Sequence, residues 1–398
     1  MTDFTRTRRA FHLPQGITYL DGNSLGPMPV AARDRVAGMM RDEWSELLIT
    51  GWNKAGWYAQ PRRVGDRLAR LIGAGPGEVV MGDTLSIKVF QAVSAARAMR
   101  PDRRVILSDS GNFPSDLYVA QGLARAVGAE LRVVAPEEVA EAIDHIGADL
   151  AVLMITEVDY RTGRRHDMAA LTARAHRAGA LTVWDLAHSA GAVDVDLTGA
   201  DADFAVGCTY KYLNGGPGAP AFIWIHPRHA DAAQPILQGW MGHAEPFAFD
   251  LDYRPAPGIE RMRVGTPPVI AMTALDAALD VWDEVSLADL RARSIQLTEA
   301  FIAGVEANCP GLVLNSPRDP ALRGSQVGFR HPQGYAVMQA LIAEGVIGDF
   351  RAPDVLRFGF APLYNDLEDV NRSVDILARI LREGSWDREN FHQKAAVT

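Results

Sequence analysis

The middle of the chain alternates short apolar segments with longer segments of helical periodicity, and this alternation constrains the fold more than any other feature. Between residues 62 and 185 the apolar segments predict five strands: Val79–Met81, Arg104–Leu107, Leu131–Val134, Leu150–Ile155 and Leu181–Trp184. The segments between them predict helices. Such alternation is typical of an α/β fold, in which helices cover a mostly parallel sheet and ligands bind at the carboxyl ends of the strands.

Two chemically reactive side chains follow predicted strands near the centre of the chain. Asp185 comes directly after the strand Leu181–Trp184, and Lys211 follows a further strand, Phe204–Val206. This pair suits pyridoxal phosphate (PLP), because a lysine amine bonds covalently to the PLP aldehyde and a carboxylate keeps its pyridine nitrogen protonated. For the pair taken alone, an ordinary surface aspartate and an ordinary surface lysine stay an open alternative.

An earlier strand-to-helix turn, Met81-Gly82-Asp83-Thr84-Leu85-Ser86, is a candidate phosphate site. The free amides at the start of a helix can hold a phosphate group. The alternative is that the side chain of Asp83 or Thr84 caps the helix, which requires no ligand.

Composition excludes several classes of protein. The chain of 398 residues is 48% hydrophobic and 22% charged, which is typical of a globular protein with two or three domains. A net charge of -9 without a long Lys/Arg run argues against a nucleic-acid partner. No apolar run approaches the roughly 20 residues that span a bilayer, and the N-terminus lacks the apolar core of a signal peptide. Two cysteines, Cys208 and Cys309, show no metal spacing and cannot form a disulfide framework, so we expect no metal and a reducing cytoplasm.

The second half of the chain predicts a long irregular stretch and then a smaller domain. Residues 235–268 are rich in Pro and Gly, and irregular segments of that length are uncommon unless they are functional. The last hundred residues alternate strand and helix again. We therefore expect an N-terminal segment of residues 1–55, a large domain of residues 56–283, and a small C-terminal α/β domain of residues 284–398.

Eight sequence strings identify a family that the alternation alone does not. In chain order they are LDGNSLGPMP, NFPSDLY, TEVDYRTG, WDLAHSAG, CTYKYLNGGPG, GWMGH, RVGTPP and LRFGFAPLYN, between residues 20 and 365. With these strings in this order, the chain resembles the kynureninase family, PLP enzymes of fold type I that are related to class V aminotransferases. The resemblance implies a large PLP-binding domain with a mostly parallel sheet and a smaller C-terminal α/β domain. It also implies that the N-terminal segment 1–55 packs with the small domain or across a dimer.

The resemblance also assigns roles to individual residues around PLP. It implies that Lys211 bonds to PLP, that Asp185 pairs with the pyridine nitrogen, and that Tyr210 and Asp116 join them as catalytic residues. The cofactor contacts that it implies are Leu85, Ser86, Phe113, Asp116, Thr156, Asp185, His188, Tyr210, Lys211, Trp240 and Thr266. Trp240 and Thr266 match residues that reach the cofactor phosphate from the other subunit, which implies a homodimer with shared active sites.

The substrate site is implied in the same way. Arg357 matches the arginine that pairs with the substrate carboxylate, and Ser24, Trp57 and His188 match further substrate contacts. The implied reaction is hydrolytic Cβ–Cγ cleavage of L-kynurenine to anthranilate and L-alanine in tryptophan catabolism, with 3-hydroxykynurenine as a secondary substrate. Family members with Asn in place of Thr266 favour the hydroxylated substrate, so Thr266 favours kynurenine here.

Three other functions remain alternatives. A class V aminotransferase or a cysteine desulfurase would share the fold, but a desulfurase needs a mobile nucleophilic cysteine. Cys208 lies beside a predicted strand and Cys309 at a predicted helix end, so neither is a strong candidate. The third alternative is a non-catalytic PLP-binding protein, against which the intact set of Lys211, Asp185, Tyr210 and Arg357 argues.

Overall fold

The structure is a computed structural model, and it describes residues 1–394. Short and mostly buried apolar runs form its strands, as the sequence predicts. They are β1 (Thr18–Tyr19), β2 (Val79–Met81), β3 (Val105–Asp109), β4 (Glu130–Val134), β5 (Leu150–Thr156), β6 (Leu181–Asp185), β7 (Phe204–Gly207), β8 (Phe222–Ile225), β9 (Val313–Leu314), β10 (Gln326–Arg330), β11 (Val346–Ile347), β12 (Asp349–Arg351) and β13 (Val355–Gly359).

The helices likewise follow the predicted segments, with their ends shifted by a few residues. They are α1 (Phe4–Arg9), α2 (Val30–Gly38), α3 (Ser45–Leu47), α4 (Gly51–Lys54), α5 (Gln60–Ala69), α6 (Leu85–Ala98), α7 (Pro114–Val127), α8 (Val139–Ile146), α9 (Met168–Arg177), α10 (Val269–Ala278), α11 (Leu287–Asn308), α12 (Gly334–Ala343) and α13 (Leu367–Glu383). Among the described residues, none of these helices has the combination of length and apolar character that a membrane crossing requires.

One helix differs clearly from the sequence-based expectation. Periodicity predicts a single helix from Val30 to Leu48, but α2 ends at Gly38 and residues 39–44 form a π-helical turn before α3. A π-turn holds more residues than an α-turn, so it shifts the side chains after it around the axis. A pattern search with one fixed period cannot register that shift.

A seven-stranded sheet forms the centre of the molecule, in the order β2-β8-β7-β6-β5-β3-β4. The strands β3 to β7 are parallel to one another, while β8 runs antiparallel to both β7 and β2. The reversal follows from the connection, since residues 208–221 contain no helix that would return the chain to the other end of the sheet. The mostly parallel sheet that the alternation predicted is therefore confirmed, with β8 as the exception.

Helices cover both faces of this sheet. Side chains on successive strand residues point to opposite faces, so Ile106 and Leu107 of β3 enter different apolar clusters. Ile106 packs with Val89 of α6 and Leu123 of α7, whereas Leu107 belongs to the cluster with Val64 of α5. With both faces buried, the polar side chains of the central strands collect at the strand ends.

The C-terminal part has a separate sheet and core. Strands β12, β13, β10 and β9 form an antiparallel sheet, which packs against α11, α12 and α13 through a third apolar cluster. Near the N-terminus, β1 pairs in parallel with β11, so Thr18 lies opposite Val346. The boundaries 1–55, 56–283 and 284–398 stay a prediction, and residues 395–398 of the last segment lie outside the described residues.

Candidate active site

The sheet brings the candidate residues of β5, β6 and β7 to one edge. In the parallel register, Asp185 at the end of β6 lies between Thr156 of β5 and Val206 of β7. Lys211 lies four residues beyond the end of β7, in a turn where its carbonyl accepts a hydrogen bond of 2.9 Å from Asn214 N. The strand order therefore places the lysine beside the carboxylate, although 26 positions separate them in the chain.

The N-terminal loop LDGNSLGPMP closes over this turn. Gly26 N donates a hydrogen bond of 2.7 Å to Tyr210 O. A Cβ atom at Gly26 would lie 2.4 Å from Lys211 O, so only glycine permits this approach. This contact brings the loop into the active site, and Ser24 lies two residues before Gly26 in the same loop.

Lys211 is nearly buried, with only 9% of its surface exposed. Its Nζ lies 3.1 Å from His188 Nε2, 5.7 Å from the ring centre of Phe113 and 5.8 Å from that of Tyr210. Burial lowers the pKa of the Lys211 amine, while the carboxylate of Asp185 acts in the opposite direction. A lower pKa increases the fraction of free amine at neutral pH, which is what a nucleophile or a base requires.

Two buried carboxyl groups accompany this lysine. Burial raises the pKa of Asp185 to about 6, although Lys211 and a 2.9 Å hydrogen bond from Ala187 N favour the charged form. Burial and the charge of Asp185 raise the pKa of Asp116 well above its usual range. Asp116 Oδ2 has no hydrogen-bond partner, which is unusual for a buried oxygen and indicates a missing donor.

The turn before α6 has the geometry of an anion site. Thr84 occupies the N-cap position but makes no side-chain hydrogen bond to the helix, and Asp83 instead pairs with Lys88 Nζ at 3.1 Å. The capping alternative for this turn is therefore wrong. Ser86 Oγ lies 2.9 Å from Ser115 Oγ at the start of α7, so the first turns of both helices meet next to Phe113.

Arg357 of β13 forms a second group of interactions. Its guanidinium is 1% exposed and pairs with Asp349, with 2.7 Å between Nε and Oδ1 and a second bond from Nη2 to Oδ2. Nη2 also donates to Ser24 Oγ at 2.8 Å, and Nη1 donates to Tyr160 O. The charge of Arg357 contributes to the lowered pKa of both Lys211 and His188, so the two groups of interactions act on one cleft.

The cleft also contains four residues that the sequence patterns did not assign to the site: Asp349, Tyr160, Asp21 and Arg351. A signal for Asp349 was present, because DFRAPDVLR predicts a hairpin whose two strands place Asp and Arg on facing positions. The structure has that register, with Asp349 opposite Arg357. Asp21 and Tyr160 are brought to the cleft by loops, for which no local pattern exists.

Three predicted site residues make no direct polar or ring contact with the central residues of these groups. Among residues 1–394, no hydrogen bond, ion pair or ring contact joins Trp57, Trp240 or Thr266 to Lys211, Asp185 or Arg357. Trp57 is buried and donates to Glu43 Oε2 at 2.9 Å, whereas Trp240 and Thr266 are exposed. The roles predicted for these three residues therefore stay predictions, and those of Trp240 and Thr266 require a second chain.

Comparisons with solved structures address the fold. The apo cysteine desulfurase from Thermococcus onnurineus NA1 matches with a TM-score of 0.82 at 18% identity, over 96% of this chain and 99% of that one. A variant of C-DES with glycine covalently linked to its PLP cofactor matches with a TM-score of 0.81 at 18% identity, over 95% and 99%. At such identities the likeness concerns the fold alone, and it confirms the predicted fold-type-I architecture.

Comparisons of sequence address the family. The family model for the kynureninase C-terminal domain matches residues 290–377. A curated kynureninase from Burkholderia pseudomallei (strain 1106a) is 51% identical over 397 residues, which cover 98% of this chain and 95% of that protein. Because this identity extends over nearly the whole length of both proteins, the chain belongs to the kynureninase family.

Proposed function

We propose that this protein is a PLP-dependent kynureninase that hydrolyses the Cβ–Cγ bond of L-kynurenine and releases anthranilate and L-alanine. The observation that carries the proposal is the meeting of Lys211, Asp185 and the unpartnered Asp116 at one edge of the sheet. Membership of the kynureninase family supports the same reaction. The proposed context is tryptophan catabolism.

The residues present fit PLP. Asp185 and Asp116 together offer buried carboxyl oxygens, one of them without a donor, to a protonated pyridine nitrogen and its surroundings. Phe113 supplies an aromatic face, and the uncapped turn at Leu85 and Ser86 supplies amides for the phosphate. We assign Lys211 to the covalent bond and add Thr156, His188 and Tyr210 as further contacts.

PLP, when bound, withdraws electrons from the substrate and thereby makes its Cα proton acidic and its Cβ–Cγ bond breakable. Within this scheme Lys211 moves the proton at the substrate Cα, a task for which its lowered pKa is suited. In this scheme the negative charge of Asp185 stabilises the proton on the pyridine nitrogen. Tyr210, whose ring lies next to Lys211, serves as a further proton donor or acceptor.

Arg357 and Ser24 bind the substrate carboxylate. A guanidinium offers paired N–H groups to a carboxylate, and the buried position of Arg357 strengthens that attraction. His188 lies between Lys211 and the N-terminal loop, so it contacts both cofactor and substrate in this scheme. Water adds to the substrate γ-carbonyl carbon, and the Cβ–Cγ bond then breaks with its electron pair on Cβ. The hydrated carbonyl group becomes the carboxyl group of anthranilate, and protonation of Cβ gives the methyl group of L-alanine.

We further propose a homodimer in which Trp240 and Thr266 complete the active site of the other subunit. Trp240 is 41% exposed and has its ring against Phe247, close to the exposed Phe249. Exposed apolar side chains that cluster in this way are typical of an interaction surface. The domain boundaries given above and a cytoplasmic location, which the two unpaired cysteines support, belong to the same proposal.

The buried cysteines argue against a desulfurase. Cys208 and Cys309 are each at most 3% exposed, and burial raises the pKa of both thiols. A thiol of this kind is a poor nucleophile, and neither is on a mobile exposed loop. The shared fold with the Thermococcus desulfurase therefore does not extend to its chemistry in this proposal.

Incubation of the purified, PLP-loaded protein with L-kynurenine is expected to release anthranilate and L-alanine in equal amounts. Anthranilate is followed by its fluorescence and alanine by amino-acid analysis, with L-cysteine as the matched alternative substrate. Sulfide release from cysteine, or amino transfer that depends on an added keto acid without anthranilate, would contradict the proposal.

Substrate preference gives a second test. Thr266 leads us to expect a kcat/KM for L-kynurenine that exceeds the value for 3-hydroxykynurenine, by at most about 10²-fold, because a site without a partner for an extra hydroxyl discriminates modestly. The Thr266→Asn variant should shift the ratio toward the hydroxylated substrate. Equal or reversed preference in the unaltered protein would refute the role given to Thr266.

A further inference from the structure

Asp349 contacts three side chains, those of Arg357, Ser24 and Arg351, although no sequence motif assigned it a role. Its Oδ1 accepts from Arg357 Nε at 2.7 Å and its Oδ2 from Arg357 Nη2. Oδ2 also accepts from Ser24 Oγ at 2.6 Å, and it lies 2.8 Å from Arg351 Nη2. The side chains of Asp349 and Arg357 are only 3% and 1% exposed, so water does not screen their attraction.

The backbone keeps this pair in one arrangement. Asp349 and Arg357 lie directly opposite each other on β12 and β13, in an antiparallel register that also joins Phe350 to Leu356 and Arg351 to Val355. A two-point contact between a planar guanidinium and a carboxylate fixes both the position and the plane of the guanidinium. The contact occupies the Nε edge of Arg357, which leaves the Nη1–Nη2 edge directed at Ser24 and Tyr160 O.

The charges of the cleft remain favourable to an anion despite Asp349. Burial and the neighbouring Asp349 raise the pKa of Asp21, which favours its uncharged form. With Asp21 uncharged, the group formed by Arg351, Arg357 and Asp349 carries two positive charges and one negative charge, a net charge of one positive unit. A substrate carboxylate can therefore bind without displacing Asp349.

We propose that Asp349 is a positioning residue, which orients the guanidinium of Arg357 so that its Nη1–Nη2 edge receives the substrate carboxylate. The inference rests on the proposed function, because it takes Arg357 to be the carboxylate-binding residue. Asp349 itself does not touch the substrate in this arrangement. Its loss should therefore weaken recognition of the carboxylate and leave recognition of the aryl ketone unchanged.

The test uses two unreactive ligands and the PLP-loaded enzyme. The first ligand is 4-(2-aminophenyl)-4-oxobutanoate, which lacks the α-amino group of kynurenine and therefore cannot react with PLP. The second is the primary amide of this acid, which lacks the negative charge. Calorimetric titration measures the affinity ratio of acid to amide for the unaltered protein and for Asp349→Asn, Arg357→Gln and Asp354→Asn. Asp354 is the matched control, because it lies in the turn between β12 and β13 and pairs with Arg330 of the neighbouring strand β10 at 3.1 Å, outside the Arg357 cluster.

We expect the acid-to-amide ratio to fall by about 10-fold or more in Asp349→Asn, since small displacements of a binding group have effects of that size. Affinity for the amide should stay within about 2-fold, while Asp354→Asn should retain the full ratio. The KM for L-kynurenine should rise in Asp349→Asn by a factor similar to the loss in acid affinity. If Asp349→Asn does not yield folded protein, Asp349→Glu takes its place, because it keeps the charge but lengthens the side chain. Its acid-to-amide ratio should lie between those of the unaltered protein and Arg357→Gln.

The outcomes separate the two levels of the proposal. A ratio that is unchanged or higher in Asp349→Asn, together with a collapsed ratio in Arg357→Gln, would overturn the role of Asp349 and leave the proposed function intact. An unchanged ratio in Arg357→Gln would overturn the carboxylate-binding role of Arg357 and the inference with it. Equal losses for acid and amide in Asp349→Asn would indicate general damage to the cleft and would also overturn the positioning role.

Discussion

Replacement of Lys211 by alanine is expected to lower the turnover of L-kynurenine by at least about 10⁴-fold, because one residue supplies both the covalent attachment of PLP and the proton transfer at Cα. The same change should remove the visible absorbance of covalently held PLP. Burial keeps the pKa of the Lys211 amine below that of an exposed lysine, which suits this amine to both tasks. Single-turnover fluorescence of anthranilate and an absorbance spectrum measure the two losses.

Lys54→Ala is the matched control for this experiment. Lys54 is exposed at the end of α4, and its loss should leave both turnover and spectrum unchanged. Turnover within about 10-fold of normal in Lys211→Ala would contradict its role as the attached base, since general acid–base catalysis alone contributes about 10²-fold or more.

The second large effect is expected for Asp185→Asn, which keeps the shape of the side chain and removes its charge. We expect kcat to fall by about 10³-fold, on the expectation that the carboxylate raises the pKa of the partner nitrogen by about three and that each step of one in pKa corresponds to a factor of ten. PLP should still attach to Lys211, so the absorbance of covalently held PLP should persist with an altered pH dependence. Steady-state kinetics and a spectroscopic pH titration distinguish this result from that of Lys211→Ala.

Two comparisons control for general effects of the Asp185 variant. Asp102→Asn makes the same chemical change at an exposed position and should be neutral. Asp185→Glu retains the charge and should recover part of the lost kcat. If Asp185→Asn and the unaltered protein had the same kcat, the assignment of Asp185 to the pyridine nitrogen would be wrong.

The positions of Lys211 and Asp185 illustrate what sequence patterns can predict. Hydrophobic periodicity is a local property, so it identified β6 and β7 and placed the two polar residues just beyond apolar strands. It could not tell that these strands are neighbours, because strand order depends on how the helices pack. The parallel pairing of β6 with β7 is what brings the carboxylate and the amine into one cleft.

The π-helical turn at Met39–Trp44 and the reversed strand β8 show where periodicity alone was insufficient. In the first case the period itself changes within a helix, and in the second the direction of a strand depends on its connection. Neither feature alters the composition of the segment that contains it. The periodicity of one short window of residues therefore predicts neither the π-helical turn nor the direction of β8.

The sequence by itself determined the α/β fold class, the order of the strands and helices along the chain, and, through its motifs, the kynureninase family and the choice of Lys211 as the candidate reactive lysine. Only the tertiary structure decided which charges meet, as when Asp349 pairs with Arg357 and both bond to Ser24, more than 320 positions away. The physical reason is that periodicity arises from contacts between near neighbours in the chain. The pairing of buried charges depends instead on distances that exist only after the chain has folded.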